Sequence, residues 1–157
     1  MLSLQKSLII MIICILSVYL TNVLYLKYKY NKIENKKLKL NFMGSILTIF
    51  GILKLYNLEK FSQIFQKYDI ISKNIPIYSY FYPFIEILLG ISYIKRYRIP
   101  KVKIITIILM IISIVSVIIS LIAGANLRCG CLGSFFHIPL SYVTLTENII
   151  MLYMSYN

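Results

Sequence analysis

The chain has 157 residues, of which 59% are hydrophobic and only 14% are charged. Because soluble proteins average roughly 45–50% apolar residues in short stretches, and the apolar stretches here are long, these proportions exclude a water-soluble globule, a disordered chain and a coiled coil. The net charge of +12 is typical of cationic loops beside membrane spans, so the lipid bilayer, and no nucleic acid, is the predicted partner.

Five segments are predicted to cross the membrane, because a spanning helix needs roughly 20 mostly apolar residues. They are Ser7–Leu26, Asn41–Leu58, Ile75–Ile94, Ile104–Ala123 and Phe135–Tyr153. The fold class is therefore an all-α membrane protein, with the five spans forming one helical bundle. A signal peptide is the alternative for the first segment, but that segment is long and lacks a small-residue cleavage site.

The orientation follows from the cations between the spans. Eleven of them share one side of the membrane and five the other. The predicted location is a bacterial-type inner membrane. The positive-inside rule then puts the N-terminus outside the cell and the C-terminus in the cytoplasm. The eleven are Lys27, Lys29, Lys32, Lys36, Lys37, Lys39, Lys95, Arg96, Arg98, Lys101 and Lys103; the five are Lys6, Lys60, Lys67, Lys73 and Arg128.

Two segments show helical patterns that predict how their faces are covered. Leu58–Ile71 alternates apolar and polar residues at helical spacing, which predicts an amphipathic helix in the headgroup region; a loop covering the bundle is the alternative. In the fourth span, small residues line one face and favour close approach of a neighbouring helix. These residues are Ser113, Ser116, Ser120 and Gly124.

The segment Arg128–Gly133 contains the chemistry that the sequence indicates most directly. Cys129 and Cys131 are separated by one glycine, just beyond the outer end of the fourth span. A disulfide in so small a ring is strained and easily reduced, and Arg128 would favour the thiolate. These features predict a thiol–disulfide exchange pair. His137 is either a proton carrier for the thiols or an interfacial histidine with no catalytic role.

Two alternatives for the cysteines stay open. One is a structural disulfide that fixes the turn. The other is binding of a soft metal such as copper(I) by Cys129, Cys131 and His137. Structural zinc lacks an obvious fourth ligand, so no metal site is predicted. Cys14 lies among isoleucines and is predicted to behave as a buried small hydrophobic residue. A quinone-coupled oxidase would need a second cysteine pair near the membrane, and only Cys14 remains. No cofactor is therefore predicted.

Polar residues inside the spans form the second candidate site. Glu86 and Glu147 are predicted to lie at a similar depth near the midplane, where one or both would be neutral or the two would share a proton. They would form either a proton relay or a structural hydrogen-bonded tie. Lys54 lies nearer the outer surface and is predicted to extend outward rather than to pair. Asn148 follows Glu147 directly.

From Gly44 to Leu152 the chain resembles the MauE / DoxX-like group of redox-associated membrane proteins. Cys129-Gly130-Cys131-Leu132-Gly133 is similar to that family's C-G-C-F-G. Further similar stretches are Gly51–Leu55 at the end of a span, Tyr82–Glu86 with Gly90, and Leu140-Ser141-Tyr142 with Asn148. The resemblance implies a core domain of four transmembrane helices, residues 41–157, to which residues 1–40 add one extra N-terminal transmembrane helix and a basic loop. It also implies that the protein works with thioredoxin-like proteins in delivering disulfides to exported clients, as in maturation of methylamine dehydrogenase.

The chain departs from the family pattern at one charged position. Glu147 stands where the family has arginine, so Glu86 needs another partner if the family's glutamate and arginine pair. The predicted function is a membrane thiol–disulfide relay or accessory, whose status as an enzyme is open, acting with a separate thioredoxin-like or other redox protein. The alternatives are a non-catalytic membrane scaffold and a small transporter or metal-handling protein.

Overall fold

The computed structural model describes residues 2–30, 35–123 and 142–156, and the regular structure in these ranges is helical. The helices in chain order are α1 (Leu2–Tyr30), α2 (Asn35–Tyr56), α3 (Leu58–Tyr68), α4 (Ile70–Asn74), α5 (Pro76–Lys95), α6 (Ile99–Ile122) and α7 (Tyr142–Tyr156). This confirms the all-α class for the described residues.

Within the described ranges, three helices are long and apolar enough to cross a membrane: Asn35–Tyr56, Ile77–Lys95 and Ile99–Ile122. They correspond to the second, third and fourth predicted spans. The first predicted span lies within α1. The fifth overlaps α7 from Tyr142 onward, and its first residues, 135–141, lie outside the described residues. The crossing of the membrane by both stays a prediction. The division of the chain at residue 40 stays one as well.

α2 and α6 begin earlier than predicted, which shortens the loop before each of them. α2 starts at Asn35, so Lys36, Lys37 and Lys39 belong to its first turns and not to a loop. α6 starts at Ile99, with Pro100 in its first turn, where a proline costs no hydrogen bond. The connection from α5 to α6 is tight and includes two residues of positive φ, Arg96 and Arg98. Lysine-rich helix ends explain the difference, because lysine is a good helix former.

The closest helix contact joins α2 and α5, which run antiparallel. A Cβ on Gly44 would lie 2.6 Å from the carbonyl oxygen of Gly90, and one on Gly51 would lie 2.9 Å from that of Pro83. Real Cβ atoms do not approach backbone this closely, so glycine is required at these crossing points. Small residues therefore let these two spans approach backbone to backbone.

The predicted amphipathic helix is present as α3, but its apolar face lies against protein. Phe61, Phe65 and Tyr68 are buried in a cluster with Tyr82 of α5 and Val117 of α6. Polar contacts add to this packing, since the Gln66 side chain donates hydrogen bonds to the hydroxyls of Ser62 in α3 and Ser79 in α5. The sequence pattern is the same for a face covered by lipid and one covered by protein, so periodicity could not distinguish the two. α3 and α4 therefore cap the bundle.

The remaining helices pack at the sides of this central unit. α7 lies against α6, and the hydroxyl of its Ser155 is 3.0 Å from that of Tyr93 in α5. α1 packs on α2, where Asn22 donates a hydrogen bond to Ser45 and Leu26 is buried. Most other large apolar side chains described on α1 are exposed, as expected for a peripheral helix facing lipid.

Candidate functional site

A buried ion pair joins α2 to α5. The ammonium nitrogen of Lys54 lies 2.6 Å from both carboxylate oxygens of Glu86, and each residue is 4% exposed. The geometry follows from the antiparallel packing. Helical side chains lean toward the N-terminus of their own helix, so Lys54 and Glu86 lean toward each other along the contact between α2 and α5.

Aromatic rings complete the surroundings of the ammonium group. The Lys54 nitrogen lies 4.9 Å from the ring centre of Tyr82 and 5.6 Å from that of Phe61. Both distances are within the range of a cation–π interaction, which strengthens where water is excluded. The pair is thus enclosed between α2, α3 and α5.

This pairing contradicts the prediction that Lys54 extends outward. An outward lysine would leave Glu86 charged and alone within a span, which costs at least about 3 kcal/mol. Pairing neutralises both groups at one place. Glu86 was predicted to need a different partner because Glu147 stands where the related family has arginine. Lys54 is that partner. The sequence signal for this pair was a lysine and a glutamate on two consecutive spans. Each of them lies about one helical turn from a glycine in the contact between α2 and α5.

A small cavity connects the ion pair to a second polar contact. The cavity is about 20 Å³, roughly the space of one water molecule. Its lining includes Lys54, Glu86, Ser113 and Asn148. Asn148 is buried and donates a 2.8 Å hydrogen bond to the hydroxyl of Ser113. Polar groups of α2, α5, α6 and α7 therefore converge at one level of the bundle.

Glu147, the second intramembrane acid of the prediction, lies on α7, but its side chain is outside the described residues. A proton shared between Glu86 and Glu147 stays a prediction. The geometry of Glu86 favours the structural alternative, because both of its oxygens already contact Lys54.

Asp69 is a buried acid that the sequence analysis missed. It is 2% exposed and lies at the break between α3 and α4, where one oxygen accepts the backbone N–H of Ser72 at 2.7 Å. The other oxygen lies 3.4 Å from the hydroxyl of Ser116, which also accepts the backbone N–H of Ile70 at 3.1 Å. An aspartate that ends an amphipathic run and precedes a short apolar one is an N-cap signal, and it could have identified this residue.

Two effects act on the ionisation of Asp69. Burial raises the pKa of its carboxyl above the ordinary value of 3.8, and the hydrogen bonds from Ser72, Ser116 and Ile71 lower it by less. The contact fastens the α3–α4 cap to α6 near its C-terminal end. The serine face predicted on α6 is therefore buried, as expected, and it also provides hydrogen-bonding groups.

The predicted redox residues Arg128, Cys129, Cys131 and His137 lie outside the described residues, as does the side chain of Cys14. Among the residues that are described, no three histidine, cysteine or acidic side chains are grouped in a way that could hold a metal ion. What the structure provides near the cysteines is the end of α6 at Ile122, seven residues before Cys129.

Long apolar helices, glycine-mediated crossing and an internal ion pair define a multi-pass helical membrane protein. Residues 39–156 match the family model described as methylamine utilisation protein MauE. The chain therefore belongs to the MauE family, which confirms the resemblance found in the sequence. Searches of curated proteins and of solved structures gave no significant match.

Proposed function

We propose that this protein assists disulfide formation in exported proteins by thiol–disulfide exchange through Cys129 and Cys131, together with a separate thioredoxin-like partner. The observation that carries the proposal is the Cys-Gly-Cys sequence that follows α6 in a membrane protein of the MauE family. In the exchange, a thiolate of one protein attacks the disulfide of the other. The resulting mixed disulfide is resolved by the second thiol of the pair, so that one disulfide forms as the other is reduced.

The described structure supports this proposal through the rigidity of the site's base. The cap formed by α3 and α4 is fastened to α6 by Asp69 and Ser116, and α2 is fastened to α5 by the buried ion pair. α6 therefore ends in a fixed position next to the cap.

The orientation belongs to the proposal as well. The excess of cations at the α1–α2 and α5–α6 connections, including those in the first turns of α2 and α6, supports a cytoplasmic location for those connections and an external location for the cysteine segment and the cap. The external side of a bacterial inner membrane is the oxidising one, where disulfides form and persist. Labelling of Cys129 and Cys131 in intact, reduced cells by a membrane-impermeant thiol reagent tests this; labelling only after permeabilisation would invert the orientation.

A non-catalytic scaffold is the second candidate function. It is favoured by the internal pairing of the polar groups in the bundle, since Glu86 contacts Lys54 and Asn148 contacts Ser113. The same pairing weakens the transporter alternative, because Glu86 is neutralised and its adjoining cavity holds no more than about one water molecule.

A redox titration with alkylation and mass readout separates the first two functions. The wild type is compared with Cys129→Ser and Cys131→Ser, and Cys14→Ser is the control. An exchange pair has a midpoint above about −300 mV and is lost in either loop variant, whereas a lower midpoint marks a structural disulfide and supports the scaffold. Loss of the redox couple in Cys14→Ser alone would move the chemistry to α1.

A further inference from the structure

A cleft of about 420 Å³ opens between the α3–α4 cap and the C-terminal end of α6. It is separate from the ion pair and from the small cavity beside it. Its lining consists of Lys67, Tyr68, Ile70, Lys73, Asn74, Ile119, Ser120 and Ala123. The volume is within the range of pockets that bind small molecules.

The polar half of this cleft suits an anion. Lys67 and Lys73 are exposed, and no acidic side chain in the described ranges lies within ion-pair distance of either. Asp69, the acid next to them in sequence, is directed inward to Ser72 and Ser116. Asn74 donates its side-chain N–H to the carbonyl of Ile70. Lys67 and Lys73 therefore both line the cleft, and neither is paired with a carboxylate among the described residues.

The other half of the cleft is apolar and continues onto the lipid-facing surface of α6. Ile119 lines the cleft and is 53% exposed. Val115 and Ile111, one and two turns below it on the same face, are also exposed. A ligand with an anionic head in the cleft would thus find an apolar track leading along the helix into the bilayer. Free phosphate would use only the first of these features.

The cleft also lies at the height of the membrane surface. The α3–α4 cap connects the end of one candidate span, α2, to the start of the next, α5. The lysines of the cap therefore lie near the boundary between headgroups and water, where they are attracted to anionic lipids.

We propose that this cleft binds the phosphate of an anionic phospholipid, with Lys67 and Lys73 contacting the headgroup and an acyl chain lying along Ile119, Val115 and Ile111. The site is independent of the thiol chemistry proposed above. It gives the cap a specific lipid contact on the side of the membrane from which the cysteine segment starts.

The test uses the full-length protein in a neutral detergent, with native mass spectrometry to count bound lipid during titration. The probes are phosphatidylglycerol, phosphatidylcholine and inorganic phosphate. The variants are Lys67→Gln, Lys73→Gln and the double variant. Lys60→Gln is the matched control, because Lys60 is an exposed lysine of the same helix as Lys67 that does not line the cleft.

We expect phosphatidylglycerol to bind more tightly than phosphatidylcholine, and each cleft variant to weaken its binding about fivefold, from the attraction of one lysine to an anionic headgroup. Inorganic phosphate at the same concentration should not displace the lipid. An equal loss in Lys60→Gln would show a general charge effect and overturn the proposal, as would displacement by inorganic phosphate. Unchanged binding of phosphatidylglycerol in the double variant would overturn the proposal as well.

Discussion

Removing one partner of the Lys54–Glu86 pair should destabilise the protein far more than removing both. In Glu86→Gln the Lys54 ammonium stays buried without a counter-charge, and in Lys54→Met the carboxylate does. Each single variant should lose about 3–5 kcal/mol of stability, the usual cost of breaking a buried pair. At about 2–4 °C per kcal/mol for a chain of this size, the melting temperature should fall by roughly 10 °C.

The double variant Lys54→Met/Glu86→Gln leaves neither charge of the pair buried without its partner, so it should lose less than either single variant. Thermal unfolding in detergent, followed for all three variants, measures this coupling as a double-mutant cycle. Lys60→Met is the control, because Lys60 is exposed and should change stability by less than about 0.5 kcal/mol. The reasoning is refuted if each single variant behaves like this control, or if the losses of the two singles add in the double.

Two further predictions concern the helix contacts. Gly90→Ala should cost about 1–3 kcal/mol of stability in the same unfolding assay, because the new Cβ would lie 2.7 Å from the carbonyl oxygen of Gly44. Leu88→Ala, on the exposed face of α5, is the comparison. An equal loss in Leu88→Ala would argue against close α2–α5 packing. Asp69→Asn should change the pH dependence of stability. Because the pKa of Asp69 is raised in the folded state, wild-type stability should decline as the pH rises from about 3.8 through that raised pKa. The asparagine variant lacks this decline, so its stability relative to the wild type should be higher at neutral pH than at acid pH. Identical pH profiles of melting temperature would show that Asp69 ionises as easily folded as unfolded.

The extent to which sequence predicted this fold depends on what each pattern encodes. Long apolar runs predict spans because their length must match the bilayer, and α2, α5 and α6 agree with that reasoning. Helical periodicity likewise predicted α3. It could not say whether Phe61 and Phe65 face lipid or protein, since both surroundings are apolar. That distinction depends on which helices lie above and below, and this is a tertiary property.

The ion pair shows the same limit for the candidate site. Glu86 was recognised as an internal group because acids are costly within a span. Its partner was not, because Lys54 is long enough either to reach the surface or to pair, and only the register of α2 against α5 decides between them. Asp69 was missed for a related reason. Its burial comes from the cap folding onto Ser116, a contact 47 residues away in sequence.

The most direct test of the proposed exchange function is trapping of a mixed disulfide in intact cells. Cys129→Ser and Cys131→Ser each remove one thiol of the pair, so a partner attached to the remaining cysteine cannot be released by the missing one. After acid quenching and alkylation, the account predicts that at least one of these variants carries a thioredoxin-like protein in a reducible adduct. The adduct should be absent from the double variant Cys129→Ser/Cys131→Ser. Absence of any adduct in both single variants, or the same adduct in the double variant through Cys14, would contradict the account.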